Sequence, residues 1–326
     1  MPDKKEERKR APYIAINYGC NMNCGYCLTA MNTSSGKFMS LPDAELISRW
    51  LVDQKITDLG LLGGEPTMHP QFKDITRLFG EHGLKLSIPT NALFNEGKKE
   101  AFEMGVYKLA IVHLNDDYFY RKGEFEIIKE NAKFLADCGL EVEIRYVVHM
   151  PAIPERFIYE FADFISATTV NFSIARPDAS GGAFYLPVRT TRLILPEVYR
   201  SVRFFRDHGF QSSISAALLP LCVISGYEDA FMSGEEGFCS RNNGKFDSSI
   251  VINPDLTADV CTSVPISTGT KRVVDFLDLD DVKSSLEARF ENLRVEPLFS
   301  DCLTCPDFNT RCQGGCLVYK YLKYKS

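Results

Sequence analysis

Tyr13-Ile-Ala-Ile-Asn17 runs through Tyr18-Gly19 into Cys20-Asn-Met-Asn-Cys24-Gly-Tyr-Cys27, so a short apolar strand pattern ends in a loop carrying three thiols. From residue 12 to about 210, short apolar runs alternate with amphipathic stretches, which is the pattern of a parallel sheet with crossover helices. The expected strands are Tyr13–Asn17, Asp58–Leu62, Leu84–Pro89, Tyr107–Leu114, Glu141–His149 and Thr169–Ala175. Helical periodicity falls at 42–54, 71–82, 97–104, 124–138, 154–166 and 195–208. Gly83, Gly105, Gly139 and Gly209 each stand just past one of these stretches, where a helix C-terminus favours glycine.

Six strand–helix units are too few for an eight-unit barrel. The expected α/β fold is therefore an open, partial (β/α)6 TIM-like barrel, with a doubly wound sheet as the alternative. The pattern changes after about residue 210, which divides the chain into an N-terminal tail (1–11), the barrel (12–210) and a small loop-rich extension (211–326). In the extension, 225–247 reads as a surface loop and Ser249–Asn253 with Ala258–Thr262 as a hairpin around Asn253-Pro-Asp-Leu256. One helix is expected at about 279–289.

The chain has 326 residues, 45% hydrophobic and 25% charged, ordinary values for a globular protein with one large core. A net charge of −6 argues against nucleic acid as a partner. The opening MPDKKEERKR lacks the apolar region of an export signal, and no run is long enough to span a membrane, so a cytoplasmic location is expected. The eleven cysteines are then unusual, because clustered thiols in a reducing compartment bind metal or do redox chemistry. Three lie in 20–27 and four in 302–316, while Cys138 stands alone and reads as a small buried apolar residue.

A compact loop of three thiolates can hold three irons of a cubane and leave the fourth iron open. The competing reading is an incomplete zinc knuckle. The spacing C-x3-C-x2-C, with Tyr26 before the last cysteine, resembles the hallmark of the radical S-adenosylmethionine (SAM) superfamily. Gly63-Gly64-Glu65-Pro66 after the second strand resembles that family's GGEP motif, whose backbone and glutamate hold the methionyl amino group of SAM. Physically, the glycines permit close approach to a ligand and Glu65 can accept from an ammonium. Thr90-Asn91-Ala92 is similar to the family's Thr-Asn-Gly turn, with alanine in place of glycine. By the same resemblance His113 and Asn115, ending the fourth strand, lie near the SAM ribose, and Arg145 reaches the SAM carboxylate. Arg176, ending the sixth strand, is expected to meet substrate.

Cys302-Leu-Thr-Cys305, six residues, then Cys312-Gln-Gly-Gly-Cys316 resembles the SPASM extension of radical SAM enzymes, with one extra residue in the gap. Cys239 and Cys261 resemble the first SPASM pair, although Leu256 stands where a glycine is usual. Two ligand assignments stay open. In one, Cys239, Cys261 and Cys316, with Cys222 as a further member, hold one auxiliary [4Fe–4S] cluster, and Cys302, Cys305 and Cys312 hold another with an open or non-cysteine site. In the other, a twitch-like reduction leaves one cluster on Cys239, Cys261, Cys302 and Cys305. A zinc ribbon on Cys302, Cys305, Cys312 and Cys316 is the bland alternative.

The resemblance implies a SAM-binding [4Fe–4S] cluster, SAM itself, one or two auxiliary clusters, and a flavodoxin or ferredoxin as electron donor. It implies an enzyme that generates a 5′-deoxyadenosyl radical and abstracts a substrate hydrogen. A ribosomal peptide is the expected substrate, to be oxidised, crosslinked or epimerised. A sugar or aminocyclitol is the alternative, favoured by a first strand that begins by residue 13 and leaves no room for an N-terminal peptide-recognition domain. A ferredoxin-like carrier or a zinc-stabilised binding module would need neither GGEP nor a barrel-sized core.

Overall fold

The computed structural model describes residues 11–28, 36–182, 184–215, 219–231, 239–242, 245–248 and 250–325, and only the backbone of 215, 239–242, 245–248 and 294. Most of the expected N-terminal tail lies outside the described residues. The strands are β1 (Tyr13–Ala15), β2 (Asp58–Leu62), β3 (Lys85–Thr90), β4 (Tyr107–Leu114), β5 (Glu141–Val148), β6 (Thr169–Ile174) and β7 (Gln211–Ser215). Five more follow: β8 (Cys239–Asn242), β9 (Lys245–Ser248), β10 (Val251–Ile252), β11 (Ala258–Cys261) and β12 (Val264–Ser267). The helices are α1 (Leu41–Asp53), α2 (Phe72–Glu81), α3 (Lys99–Glu103), α4 (Glu124–Asp137), α5 (Glu155–Phe164), α6 (Val188–Asp207), α7 (Leu221–Ile224), α8 (Leu279–Val295) and α9 (Leu317–Lys325).

Strands β1 to β7 lie side by side in chain order, each parallel to the next, as crossover helices require. Their C-terminal ends consequently share one rim, and the cysteine loop, Gly63–Pro66, Thr90–Ala92 and Asn115 all leave the sheet there. The helices bury one stripe each. In α1 that stripe is Ala44, Ile47 and Leu51, and Ser40 caps the helix by accepting from Asp43 N at 3.1 Å. Val112, Ile144, Phe172 and Ile214 face the same core, each contributing about 1.5–3 kcal/mol by burial.

The structure adds elements to those expected. β7 extends the parallel run by one strand, although Gln211–Ser215 has almost no apolar pattern. Its pairing is reinforced by hydroxyls: Ser212 Oγ donates to Val170 O and Ser213 Oγ to Asn171 Oδ1, both at 2.7 Å. Within 225–247, expected as loop, β8 and β9 pair as an antiparallel ribbon. The expected hairpin forms as β10 and β11, and β10 also pairs in parallel with β1, so the extension continues the main sheet. β12 and α9 were not expected. They close a second apolar cluster of Val260, Cys261, Val264, Phe290, Cys316 and Val318 against α8. Cys138, expected to be buried, is half-buried at the end of α4 and packs against the main core.

Candidate active site

The cysteine loop is splinted by the segment after β2. Gly64 N donates to Asn17 O at 3.2 Å and Glu65 N to Gly19 O at 2.8 Å, while Asn17 Nδ2 donates to Glu65 O at 3.0 Å. A Cβ on Gly63 would lie 2.6 Å from Asn17 Oδ1, and one on Gly64 would lie 2.4 Å from the carbonyl oxygens of both Tyr18 and Gly19. The two glycines thus serve close approach to the cysteine-loop backbone, where the sequence suggested close approach to a ligand.

Glu65 is held by the protein itself. Its carboxylate is 1% exposed and accepts from Thr67 N (3.2 Å), Thr67 Oγ1 (2.7 Å), Thr90 Oγ1 (2.9 Å) and Asn91 N (2.8 Å). Those donors tie the ends of β2 and β3 together. Burial raises the carboxyl's pKa, against the lowering by these hydrogen bonds. A buried acceptor in the same corner, Asn17 Oδ1, has no donor among the described residues, which suits an incoming ammonium.

Asn91 and Asn115, at the ends of β3 and β4, reach the thiols. Asn91 Nδ2 donates to Cys20 Sγ at 3.9 Å and to Asn21 Oδ1 at 2.8 Å, and Cys24 Sγ donates to Asn115 Oδ1 at 3.8 Å. Burial, with Cys27 and Cys20 close by, pushes the Cys24 thiol up to about 12, and burial also raises Cys20. Thiols crowded and desolvated in this way become stable thiolates only beside a cation, which is the environment a metal cluster supplies. The donor set therefore fits an iron–sulfur cluster. Tyr26 is buried and its ring stacks on His149 at 4.9 Å between centroids, with Phe119 at 5.8 Å.

His113, Arg145, Asn171 and Ser213 are cross-strand neighbours on β4 to β7 and form one polar row on the face opposite Val112 and Ile144. Burial and then Arg145 hold His113 down to about 4, so it is neutral at pH 7. Arg145 is ion-paired with Glu143 of its own strand, yet its buried Nε has no partner among the described residues. Four further residues at this rim were not singled out from the sequence. Tyr146 OH donates to Asp116 Oδ1 at 2.8 Å, His149 Nε2 lies 3.3 Å from Asp116 Oδ2, and Tyr118 OH is 3.1 Å from the same nitrogen. No motif spacing marks them; Asp116, Tyr118 and His149 stand just beyond the end of β4 or β5, and Tyr146 stands within β5.

In the extension, Cys312 and Cys316 are buried, Cys302 is half-buried, and Cys222 and Cys305 are exposed. Cys261 and Cys316 share the second apolar cluster. Arg176, expected toward substrate, acts electrostatically on the Cys316 thiol. Of Cys239 only the backbone is described, so its expected role as a ligand lies outside the described side chains. Among the described residues no three His, Cys, Asp or Glu side chains converge on a single metal-ion position. A cubane holds its thiolates farther apart than a mononuclear zinc site does, because irons and sulfides lie between them.

The sequence profile of the Radical SAM superfamily matches residues 14–220. A probable GTP 3′,8-cyclase of Methanothermobacter thermautotrophicus is 30% identical over 143 residues, 41% of this chain and 47% of that protein. The chain thus spans less than half the length of the curated relatives it matches. Streptococcus suis SuiB, solved with its precursor peptide SuiA, superposes with a TM-score of 0.67 at 18% identity over 94% of this chain and 71% of that one. The protein anSMEcpe, solved with AdoMet and the Cp18Cys peptide, superposes with a TM-score of 0.64 at 16% identity over 96% and 94%. At such identities the likeness is one of fold.

Proposed function

The chain belongs to the radical SAM superfamily, and on that premise we propose that it is a peptide-modifying enzyme that abstracts a hydrogen from a side chain or α-carbon. Cluster and SAM together supply the reductive cleavage that yields methionine and a 5′-deoxyadenosyl radical. Cys20, Cys24 and Cys27 would hold the cluster. Gly63, Gly64 and Glu65 keep that loop in place with Pro66 opening the next turn, and Asn17 Oδ1 offers an acceptor to the methionyl ammonium. Thr90 and Asn91 fix the neighbouring turn, Tyr26 with His149 presents an aromatic surface, and Asn115 together with the row that contains His113 and Arg145 lines the rest.

One observation carries the reading: three half-buried thiols in the loop after β1, backbone-locked to the turn after β2, on the rim where parallel α/β sheets place their chemistry. The peptide class is supported by the rim's apolar character, with Tyr118, Met150 and Phe184 exposed there, a surface suited to amino-acid side chains. Two fold relatives were solved with peptides. A sugar or aminocyclitol is the second reading, favoured by the polar row. Auxiliary clusters on the C-terminal cysteines would take an electron from the substrate radical or bind substrate, and a flavodoxin or ferredoxin would deliver the initiating electron. Incubation with perdeuterated candidate peptides and with a deuterated aminocyclitol tests the class. Deuterium in 5′-deoxyadenosine is expected from a peptide; label arriving only from the aminocyclitol would reverse the assignment.

A further inference from the structure

The late motif carries three cysteines, Cys302, Cys305 and Cys312, in one short stretch of chain, whereas a fully cysteine-ligated cubane takes four. Its fourth cysteine, Cys316, turns the other way, into the apolar cluster with Cys261, Val260 and Phe290. The place beside the three is taken from a distant part of the chain. Leu221 N, at the start of α7, donates to Cys312 Sγ at 3.5 Å, which sets the next residue, Cys222, against the motif. Arg192 of α6 donates to the carbonyl of Cys222 and fixes that turn from the other side.

The turn of the motif is shaped to the same group. Gly314, at φ +71°, donates its N–H to Cys312 Sγ at 3.3 Å, and a Cβ there would lie 3.7 Å from Cys302 Sγ. A Cβ on Gly315 would lie 3.6 Å from Pro220, so the 312–316 turn packs directly on the segment leading into α7. The thiols that act electrostatically on Cys222 are those of Cys312, Cys302 and Cys305, while the thiol that acts on Cys316 is that of Cys261. Lys320, only 1% exposed, sits under the influence of Cys312, Cys302 and Cys316, a buried cation that an anionic cluster would offset.

We propose that Cys222 is the fourth ligand of an iron–sulfur cluster held by Cys302, Cys305 and Cys312, and that Cys316 serves a separate set with Cys261. This rests on the reading that the extension holds iron–sulfur clusters, and it reassigns Cys222 from the set in which sequence spacing placed it.

The test uses the full chain carrying Cys20→Ala, Cys24→Ala and Cys27→Ala, so that all remaining iron is C-terminal, compared with the same chain carrying Cys222→Ala or Cys222→Ser. Iron and sulfide are quantified, with Mössbauer and electron paramagnetic resonance spectra before and after adding 2-mercaptoethanol. Cys222→Ala should lose about one to four irons per chain or show a three-iron signal, and added thiol should perturb its spectrum while leaving the parent's unchanged. Cys222→Ser should lie between the two. Because Cys222 is exposed, circular dichroism should be the same in all three. A Cys222→Ala spectrum and iron content identical to the parent's overturn the proposal alone. A parent without iron, or with zinc in its place, overturns the cluster reading and the proposal with it.

Discussion

Glu65 is a buried carboxylate whose value lies in what it ties together. Its four hydrogen bonds join the turn that splints the cysteine loop to the turn carrying Asn91, which itself reaches Cys20. Glu65→Gln replaces one acceptor oxygen by a donor and leaves at least one backbone N–H, of Thr67 or Asn91, facing a donor. A buried donor without an acceptor costs about 1–3 kcal/mol, and denaturant unfolding should register a loss of that size. The C-terminal iron should be unchanged. Unaltered stability would mean that the network is dispensable. The sequence identified Glu65 and the two glycines as important through an expected ligand, and their contacts within the protein were not legible. Burial and the partner carbonyls of Tyr18 and Gly19 could not be read from a motif, because contacts 46 or 45 residues apart depend on how β1 and β2 pair. Two substitutions that break family patterns do have a backbone meaning: Ala92 (φ +57°) and Leu256 (φ +64°) both adopt the left-handed conformation that glycine accepts most readily.

At the scale of elements, the sequence was readable where apolar period and glycine caps agree. β1 to β6 and the first five helices fall close to their expected bounds, α6 begins seven residues before its expected start at 195, and Gly83, Gly105, Gly139 and Gly209 all have positive φ. It was unreadable where pairing compensates for composition, as in β7, where serine hydroxyls satisfy neighbouring acceptors, and in short strands such as β8 and β9. Helix α9 is the missed element with most consequence, since it carries Lys320 into the cysteine-rich extension. Burial lowers the Lys320 ammonium to about 8, against the raising influence of Cys312, Cys302 and Cys316. A cation so placed favours the reduced state of a nearby cluster. Lys320→Met should therefore move an auxiliary-cluster potential negative, by on the order of 50–100 mV for a charge about 10 Å away. Potentiometric titration in the background lacking the first three cysteines isolates that signal, and an unshifted or more positive potential would remove the lysine from this role.

On the scale of the whole molecule, parallel order makes the site. Seven strands running in one direction bring the cysteine loop, the glycine turn, Asn91, Asn115 and His149 to one rim although they span residues 20–149. β10 then pairs with β1, so the sheet that carries the cysteine loop is continuous with the strands of the extension. The central claim, radical generation on Cys20, Cys24 and Cys27, is tested most directly by quantifying 5′-deoxyadenosine from anaerobically reconstituted protein given SAM and dithionite. The account predicts 5′-deoxyadenosine from the unaltered chain, and none from the Cys20→Ala, Cys24→Ala, Cys27→Ala chain, which should keep its C-terminal iron. Equal 5′-deoxyadenosine from both proteins, or none from an unaltered chain with its iron in place, would contradict it.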